Sequence, residues 1–138
     1  MKEDCVTYGI AVKLKEKGFK EKCFAYYYPK GSGLIFNQNQ FRGGIVEDCL
    51  YSYNSLPNEC MASDFVDAPT ISQVLKWFRK EKRIDAGAVW DNRDGKWVGY
   101  VNEMDMPDLV GEYVLSDTYV SYEHAALAGI EYVIDNLI

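Results

Sequence analysis

The sequence predicts an α+β fold in which about three helices pack on a mainly antiparallel sheet, giving two layers. Three segments carry apolar residues at helical spacing. Between them lie short stretches of β-branched and aromatic residues joined by turn signals, which indicates hairpins rather than strand–helix–strand crossovers. The 138 residues match one ordinary domain in size. Since no linker, low-complexity tract or repeat divides them, we predict a single domain over residues 1–138.

The first helix is predicted over residues 6–17. Val6, Ile10 and Leu14 recur at every fourth position and form one apolar face. Three lysines lie toward the C-terminal end, where positive charge suits the helix dipole. Gly18 is expected to end the helix because glycine readily adopts the left-handed conformation found at helix ends.

An antiparallel strand pair should follow this helix. Residues 23–28, CFAYYY, are aromatic and favour a strand, PKGSG favours a turn, and residues 34–36, LIF, suit the returning strand. Residues 37–68 show broken patterns, with IVEDCLYSY as a candidate strand. One or two short strands with long connections are expected there.

The second helix is predicted to begin after Thr70. Thr70 and Gln73 match the capping box, in which each side chain satisfies a free backbone N–H at the helix start. One face is apolar, and it comprises Ile71, Val74, Leu75 and Phe78. The opposite side is basic, and Trp77 lies at the flank between the two.

A hairpin and a last helix complete the predicted fold. AGAVWD and KWVGYVN enclose NRDG, a tight-turn sequence, and EYVLS suits a third strand. Ser121 should cap the helix of residues 122–138. Its predicted buried stripe is Ala126, Leu127, Ile130, Val133, Ile134 and Leu137. We expect this stripe to dock on the 86–102 hairpin, with Gly129 allowing close approach and Trp90 or its hairpin partners filling the space beside it.

Composition limits the classes of partner. The formal net charge of −6 opposes long-range attraction to nucleic acid. No apolar run approaches the length of a membrane span, and the N-terminal residues do not resemble a signal or transit peptide. We therefore expect a cytoplasmic protein that does not bind membranes.

The cysteines are expected to be free thiols. Cys5, Cys23, Cys49 and Cys60 include no closely spaced pair of the kind that zinc sites use. Disulfides are rare in a reducing cytoplasm, although the sequence leaves three pairings open. No metal site and no cofactor site are predicted.

No catalytic residue is predicted either. The sequence lacks the glycine-rich phosphate-binding motifs and the nucleophile elbow. His124, the single histidine, falls on the polar side of the last helix, where we expect it to be solvated. Acidic residues gather at Glu103, Asp105, Asp108, Glu112 and Asp117, but their spacing indicates no particular chemistry. The sequence therefore favours a non-enzymatic function over an enzymatic one.

The candidate interaction surface is the basic side of the second helix. It comprises Lys76, Arg79, Lys80 and Arg83, with Trp77 beside them. These cations could meet phosphates. The simpler interpretation, which we prefer, is the solvated side of a scaffold helix whose last turns favour positive charge.

Three segments resemble a family of small proteins without an assigned activity, found in gut anaerobic bacteria and in their phages and mobile elements. The segments are VKLKEKGFKEKCFAYYY, APTISQVLKWFRKEKRI and YEHAALAGIEYVIDNLI, about half of the chain. Their shared motifs are helix caps, apolar stripes and a small-residue contact at Gly129. The resemblance implies a one-domain cytoplasmic accessory protein and transfers no catalytic residue.

The leading functional hypothesis is a small non-enzymatic binding or accessory protein that acts on a protein partner. Eleven tyrosines could supply an aromatic patch on one face of a sheet. One alternative is a small enzyme that uses clustered carboxylates or a cysteine. Another is an acidic mimic of nucleic acid, or a protein associated with nucleic acid. The sequence does not determine the oligomeric state, and a homo-oligomer is compatible with it.

Overall fold

The computed structural model describes residues 4–29, 33–37, 50–57, 64–105 and 112–138. These residues belong to two compact units, one over residues 1–70 and one over residues 71–138. Each unit has its own three-stranded antiparallel sheet. The α+β class and the antiparallel pairing are therefore confirmed. That residues 1–138 form one domain stays a prediction.

The first unit begins with helix α1, Tyr8–Glu16, at the predicted place. The hydroxyl of Thr7 accepts a hydrogen bond from the Ile10 N–H and caps the helix start. Gly18 has φ +91°, and the Gly18 and Phe19 N–H groups donate to the Lys15 and Leu14 carbonyls. This pattern is the Schellman motif, so glycine ends the helix as expected.

The first sheet consists of β1, Ala25–Tyr27, β2, Leu34–Phe36, and β3, Val66–Asp67, in the order β2-β1-β3. The strands predicted within 23–28 and 34–36 are confirmed. The predicted strand IVEDCLYSY lies partly outside the described residues. Its last residues form a bridge from Tyr51 to Cys23 and a 3₁₀ turn, Tyr53–Ser55.

The second unit begins with helix α2, Ile71–Trp77, which starts directly after Thr70 as predicted. A π-helical turn, Phe78–Lys82, continues the helix. The helical segment ends at Arg83, whose φ is 57°. The expected apolar face is buried; it comprises Ile71, Val74, Leu75 and Phe78.

The second sheet consists of β4, Ile84–Asp91, β5, Lys96–Glu103, and β6, Glu112–Tyr119, in the order β4-β5-β6. The predicted hairpin turn joins β4 to β5. Gly95 there has φ 62°, and its N–H donates to the Asp91 carbonyl at 2.9 Å.

Helix α3, Tyr122–Asn136, packs against β4 and β5, so the predicted docking on the hairpin is confirmed. The Ser121 hydroxyl accepts from the His124 N–H and caps the helix as expected. The stripe needs correction at Leu127 and Leu137, which are only half-buried. The buried set is Ala125, Ala126, Gly129, Ile130, Val133 and Ile134.

The approach of α3 is close because both sides of the contact lack side chains. A Cβ atom on Gly129 would lie 3.1 Å from the Gly87 carbonyl oxygen, and one on Gly99 would lie 2.9 Å from that of Ala125. The role predicted for Gly129 is confirmed. Trp90 is 47 % exposed and does not fill the space beside the helix, but its hairpin partner Trp97 contacts Tyr122, the first residue of α3, with ring centroids 5.4 Å apart. None of the helices among the described residues has the length and apolar character needed to cross a membrane.

Candidate functional site

Five aromatic rings meet on the first unit and form a continuous surface, the tyrosine cluster. Its members are Tyr26, Tyr28, Tyr51, Tyr53 and Phe65. The Tyr26 ring centroid lies 5.8 Å from that of Tyr28, 4.6 Å from that of Tyr53 and 5.2 Å from that of Phe65. Tyr51 extends the cluster, with its centroid 4.6 Å from that of Tyr53. These are the separations at which aromatic pairs attract one another.

Strand alternation puts two of these tyrosines on one face. Tyr26 and Tyr28 are two residues apart, so their side chains leave β1 and its end in the same direction. Tyr27 takes the opposite direction, where its hydroxyl donates to the Val6 carbonyl at 2.7 Å and its ring meets Tyr8 edge-on at 5.5 Å. Of these three tyrosines, Tyr27 therefore packs on one side of the strand, and Tyr26 and Tyr28 lie on the other side, in the tyrosine cluster.

Backbone hydrogen bonds fix the other two tyrosines. Tyr51 exchanges both backbone bonds with Cys23, at 2.9 and 3.1 Å. The buried Asp67 carboxylate accepts from the Tyr53 N–H at 3.0 Å and from the Asn54 N–H at 2.9 Å. In the reverse direction, the Asn54 side-chain oxygen accepts a hydrogen bond from the Asp67 N–H at 3.2 Å. This reciprocal pair holds the 3₁₀ turn against the sheet and carries the Tyr53 ring to Tyr26.

The tyrosine cluster is open to solvent at two places. Tyr28 is 40 % and Tyr51 45 % exposed, while Tyr26, Tyr53 and Phe65 are half-buried. Burial raises the pKa of both Tyr26 and Tyr53 above the ordinary phenol value. These phenols therefore stay protonated at physiological pH, and each offers an apolar ring with a neutral hydrogen-bonding tip.

The titration of Asp67 makes the stability of the first unit depend on pH, and the direction of this dependence follows from its pKa. Burial raises the pKa of its carboxyl group above the ordinary 3.8, and the hydrogen bonds from the Asn54 and Tyr53 N–H groups oppose this only in part. Because the folded pKa is the higher one, the stability contributed by Asp67 is fully present below about pH 3.8 and is lost as pH rises through the folded pKa.

We therefore expect the stability of Asp67→Asn relative to the native protein to rise with pH across this interval, since asparagine does not ionise. The amide also loses one acceptor oxygen, which lowers stability by an amount that does not depend on pH. Urea unfolding of both proteins across the acid range measures the difference. A constant difference, or one that falls as pH rises, would show that burial does not dominate the titration.

The residues predicted to form an interaction surface on the second helix differ in exposure. Lys76, Arg79 and Lys80 are exposed, as expected. Trp77 is 6 % exposed, and the Lys82 ammonium lies 5.2 Å from the centre of its ring. The Trp77 ring is therefore largely covered within the fold. Its place in an interaction surface stays a prediction. Arg83 contacts Asp105 at 3.3 Å, in an exposed pair of small energetic value.

The residues considered for catalysis lie only partly within the described part of the chain. His124 is exposed and contacts the Ser121 hydroxyl at 2.7 Å, which places it in the helix cap. Burial raises the pKa of the Cys23 thiol well above its ordinary value, so this thiol stays protonated and a poor nucleophile. Cys49, Cys60 and Asp108 lie outside the described residues. Across the described part of the chain, histidine, cysteine and carboxylate side chains form no group able to hold a metal ion.

The Tyr100 and Asp85 side chains also lie within hydrogen-bond reach of each other in the second unit. The Tyr100 hydroxyl donates to the Asp85 carboxylate at 3.3 Å. Burial raises the pKa of Tyr100, with the Asp85 charge adding to the effect. The phenol therefore stays protonated and acts as a donor that orients Asp85 between adjacent strands.

Comparison with known protein families, with curated proteins and with solved structures finds no match to this chain. The tyrosine cluster therefore rests on its own geometry. Sequence reasoning anticipated tyrosines on a sheet face but missed Phe65 and the grouping with residues 51 and 53. The abundance of tyrosine was the one available signal, because nothing local links segments so far apart along the chain.

Proposed function

We propose that the chain is a non-enzymatic binding module that holds a protein partner through the tyrosine cluster. The observation that carries the proposal is the contact of five rings on one surface, with Tyr28 and Tyr51 exposed at its edges. Tyrosine is enriched at protein interfaces because its ring supplies apolar area while its hydroxyl finds a partner in a wet rim.

Preorganisation supports this assignment. The rings of Tyr26 and Tyr53 are already fixed against each other, and the Asp67–Asn54 pair fixes the turn beneath them. A partner that packs on the tyrosine cluster therefore pays little additional side-chain entropy, which is a principal cost of association. The net charge of −6 favours a protein partner over nucleic acid.

The proposal is tested by affinity capture with the intact chain as bait in lysate of its native host. We expect one protein to be retained by the native chain and lost from the double variant Tyr28→Ala, Tyr51→Ala. We expect each truncation of an interface tyrosine to cost about 1–2 kcal/mol, or roughly tenfold in affinity. Both side chains are substantially exposed, so the double variant should still fold, which its circular dichroism verifies.

The matched control is Glu16→Ala with Lys20→Ala, which removes two exposed side chains of the same unit outside the cluster. It should retain the partner. Equal retention by the tyrosine variant and the control would refute the proposal, as would captured material that nuclease treatment removes. A captured protein counts in favour only when the tyrosine variant loses it.

A further inference from the structure

The second unit carries another group of rings, the tryptophan surface, which consists of Trp90, Trp97 and Tyr122. The Trp90 and Trp97 ring centroids are 5.3 Å apart, and those of Trp97 and Tyr122 are 5.4 Å apart, both edge to face. Trp90 is 47 % and Tyr122 38 % exposed. Two large rings are thus partly exposed to solvent. The residues that α3 buries, by contrast, include no aromatic side chain.

Strand register explains this placement. Trp90 and Trp97 are direct cross-strand partners and share one face of the sheet. Gly99 lies on that same face, two residues from Trp97, and contacts α3 there. Tyr122 is the first residue of α3. The tryptophan pair therefore lies beside the start of the helix, at the limit of the sheet surface that α3 covers. Val120, just before the helix, is 83 % exposed.

The charges near the tryptophan surface are mainly negative. Asp94 lies in the turn between the two tryptophan strands, Asp117 lies near the end of β6, and Glu123 directly follows Tyr122; all three are exposed. Arg93 is the one exposed cation of that turn. Asp91 and Lys96 are partners on the opposite face of the hairpin, by strand alternation.

We propose that the tryptophan surface binds a basic segment of a protein partner by accepting an arginine or lysine side chain against its rings. Indole faces attract cations more strongly than other aromatic side chains do. The three neighbouring carboxylates add attraction for positive charge and repel acidic segments. The contact is independent of the tyrosine cluster, and it gives the chain a second binding function.

The test uses the intact protein and two synthetic peptides, one of alternating glycine and arginine and one with glutamate in place of arginine. The arginine peptide should change the tryptophan fluorescence in a saturable way at low millimolar concentration, and the glutamate peptide should not. Trp90→Ala should weaken binding of the arginine peptide about tenfold. Arg93→Gln, which removes the competing cation, should strengthen it, and added salt should weaken it.

Two further variants make the outcome specific. Tyr122→Leu keeps apolar bulk but removes a ring, so it should also weaken binding, whereas Leu34→Ala, at an exposed position of the first unit outside the tyrosine cluster, should leave it unchanged. Absence of saturable binding, equal binding of both peptides, or undiminished binding by folded Trp90→Ala and Tyr122→Leu would each overturn the proposal. Association of the free protein with itself through these rings, seen as a dimer that Trp90→Ala abolishes, would also overturn it.

Discussion

Ile130→Asp should abolish the cooperative unfolding of the second unit, residues 71–138. Ile130 is completely buried in the middle of α3, whose inner side packs against β4 and β5. The substitution loses about 1.5–3 kcal/mol of apolar burial and puts an unpaired carboxylate in a place where no solvent reaches it. A domain is typically stable by only about 5–15 kcal/mol, so the combined loss should remove the native state of the second unit. Circular dichroism during heating checks this.

Two variants of the same helix serve as controls for Ile130→Asp. His124→Asp introduces the same carboxylate at an exposed position in the first turn, where negative charge suits the helix dipole, so its melting temperature should stay close to that of the native protein. Ile130→Val removes one methylene and should cost about 0.5–1.5 kcal/mol. A cooperative transition in Ile130→Asp near that of the native protein would mean that this face of α3 is not the buried one.

Gly99→Ala should destabilise the protein by about 1–3 kcal/mol, although it adds a single methyl group. The new Cβ would lie 2.9 Å from the Ala125 carbonyl oxygen and 3.0 Å from a methyl carbon of Leu115. A backbone oxygen cannot rotate away as a flexible side chain can, so α3 must shift off the sheet. Urea unfolding at equilibrium measures the loss.

Gly9→Ala is the matched control because it makes the same chemical change where nothing lies within 4 Å of the new atom. Gly9 is inside α1, and alanine is the better helix former by about 1 kcal/mol, so this variant should be more stable than the native protein. Equal effects of the two substitutions would show that the close approach of α3 to β5 does not constrain position 99.

The sequence predicted well those features that are determined by residues close together along the chain. Gly18 and Gly95 both have positive φ where a helix and a hairpin turn required it, and Ser121 caps α3. The apolar stripe of α2 is buried because helical spacing alone defines its face. In each instance the cause lies within one or two turns of the residue concerned.

Features that depend on distant contacts were predicted less well. Trp77 lies at the flank of the α2 stripe, and helical spacing does not show whether other segments cover a flanking ring. The partners of Gly129 are Gly87 and Gly99, and only strand register shows that these glycines meet the helix. Likewise, Asp67 carries no sequence motif, and its role in holding the 3₁₀ turn appears only from the fold.

Site-specific photo-crosslinking tests the central claim most directly. A benzophenone amino acid replaces Tyr28 in one variant and the exposed Glu16 of α1 in another, and each variant is irradiated in the native host. The benzophenone is itself aromatic, so at position 28 it keeps a ring in the tyrosine cluster. Binding through this cluster predicts a crosslink from position 28 to one protein of a different sequence, and none from position 16. Crosslinks to the same proteins in equal yield from both positions, or none from position 28, would contradict the claim.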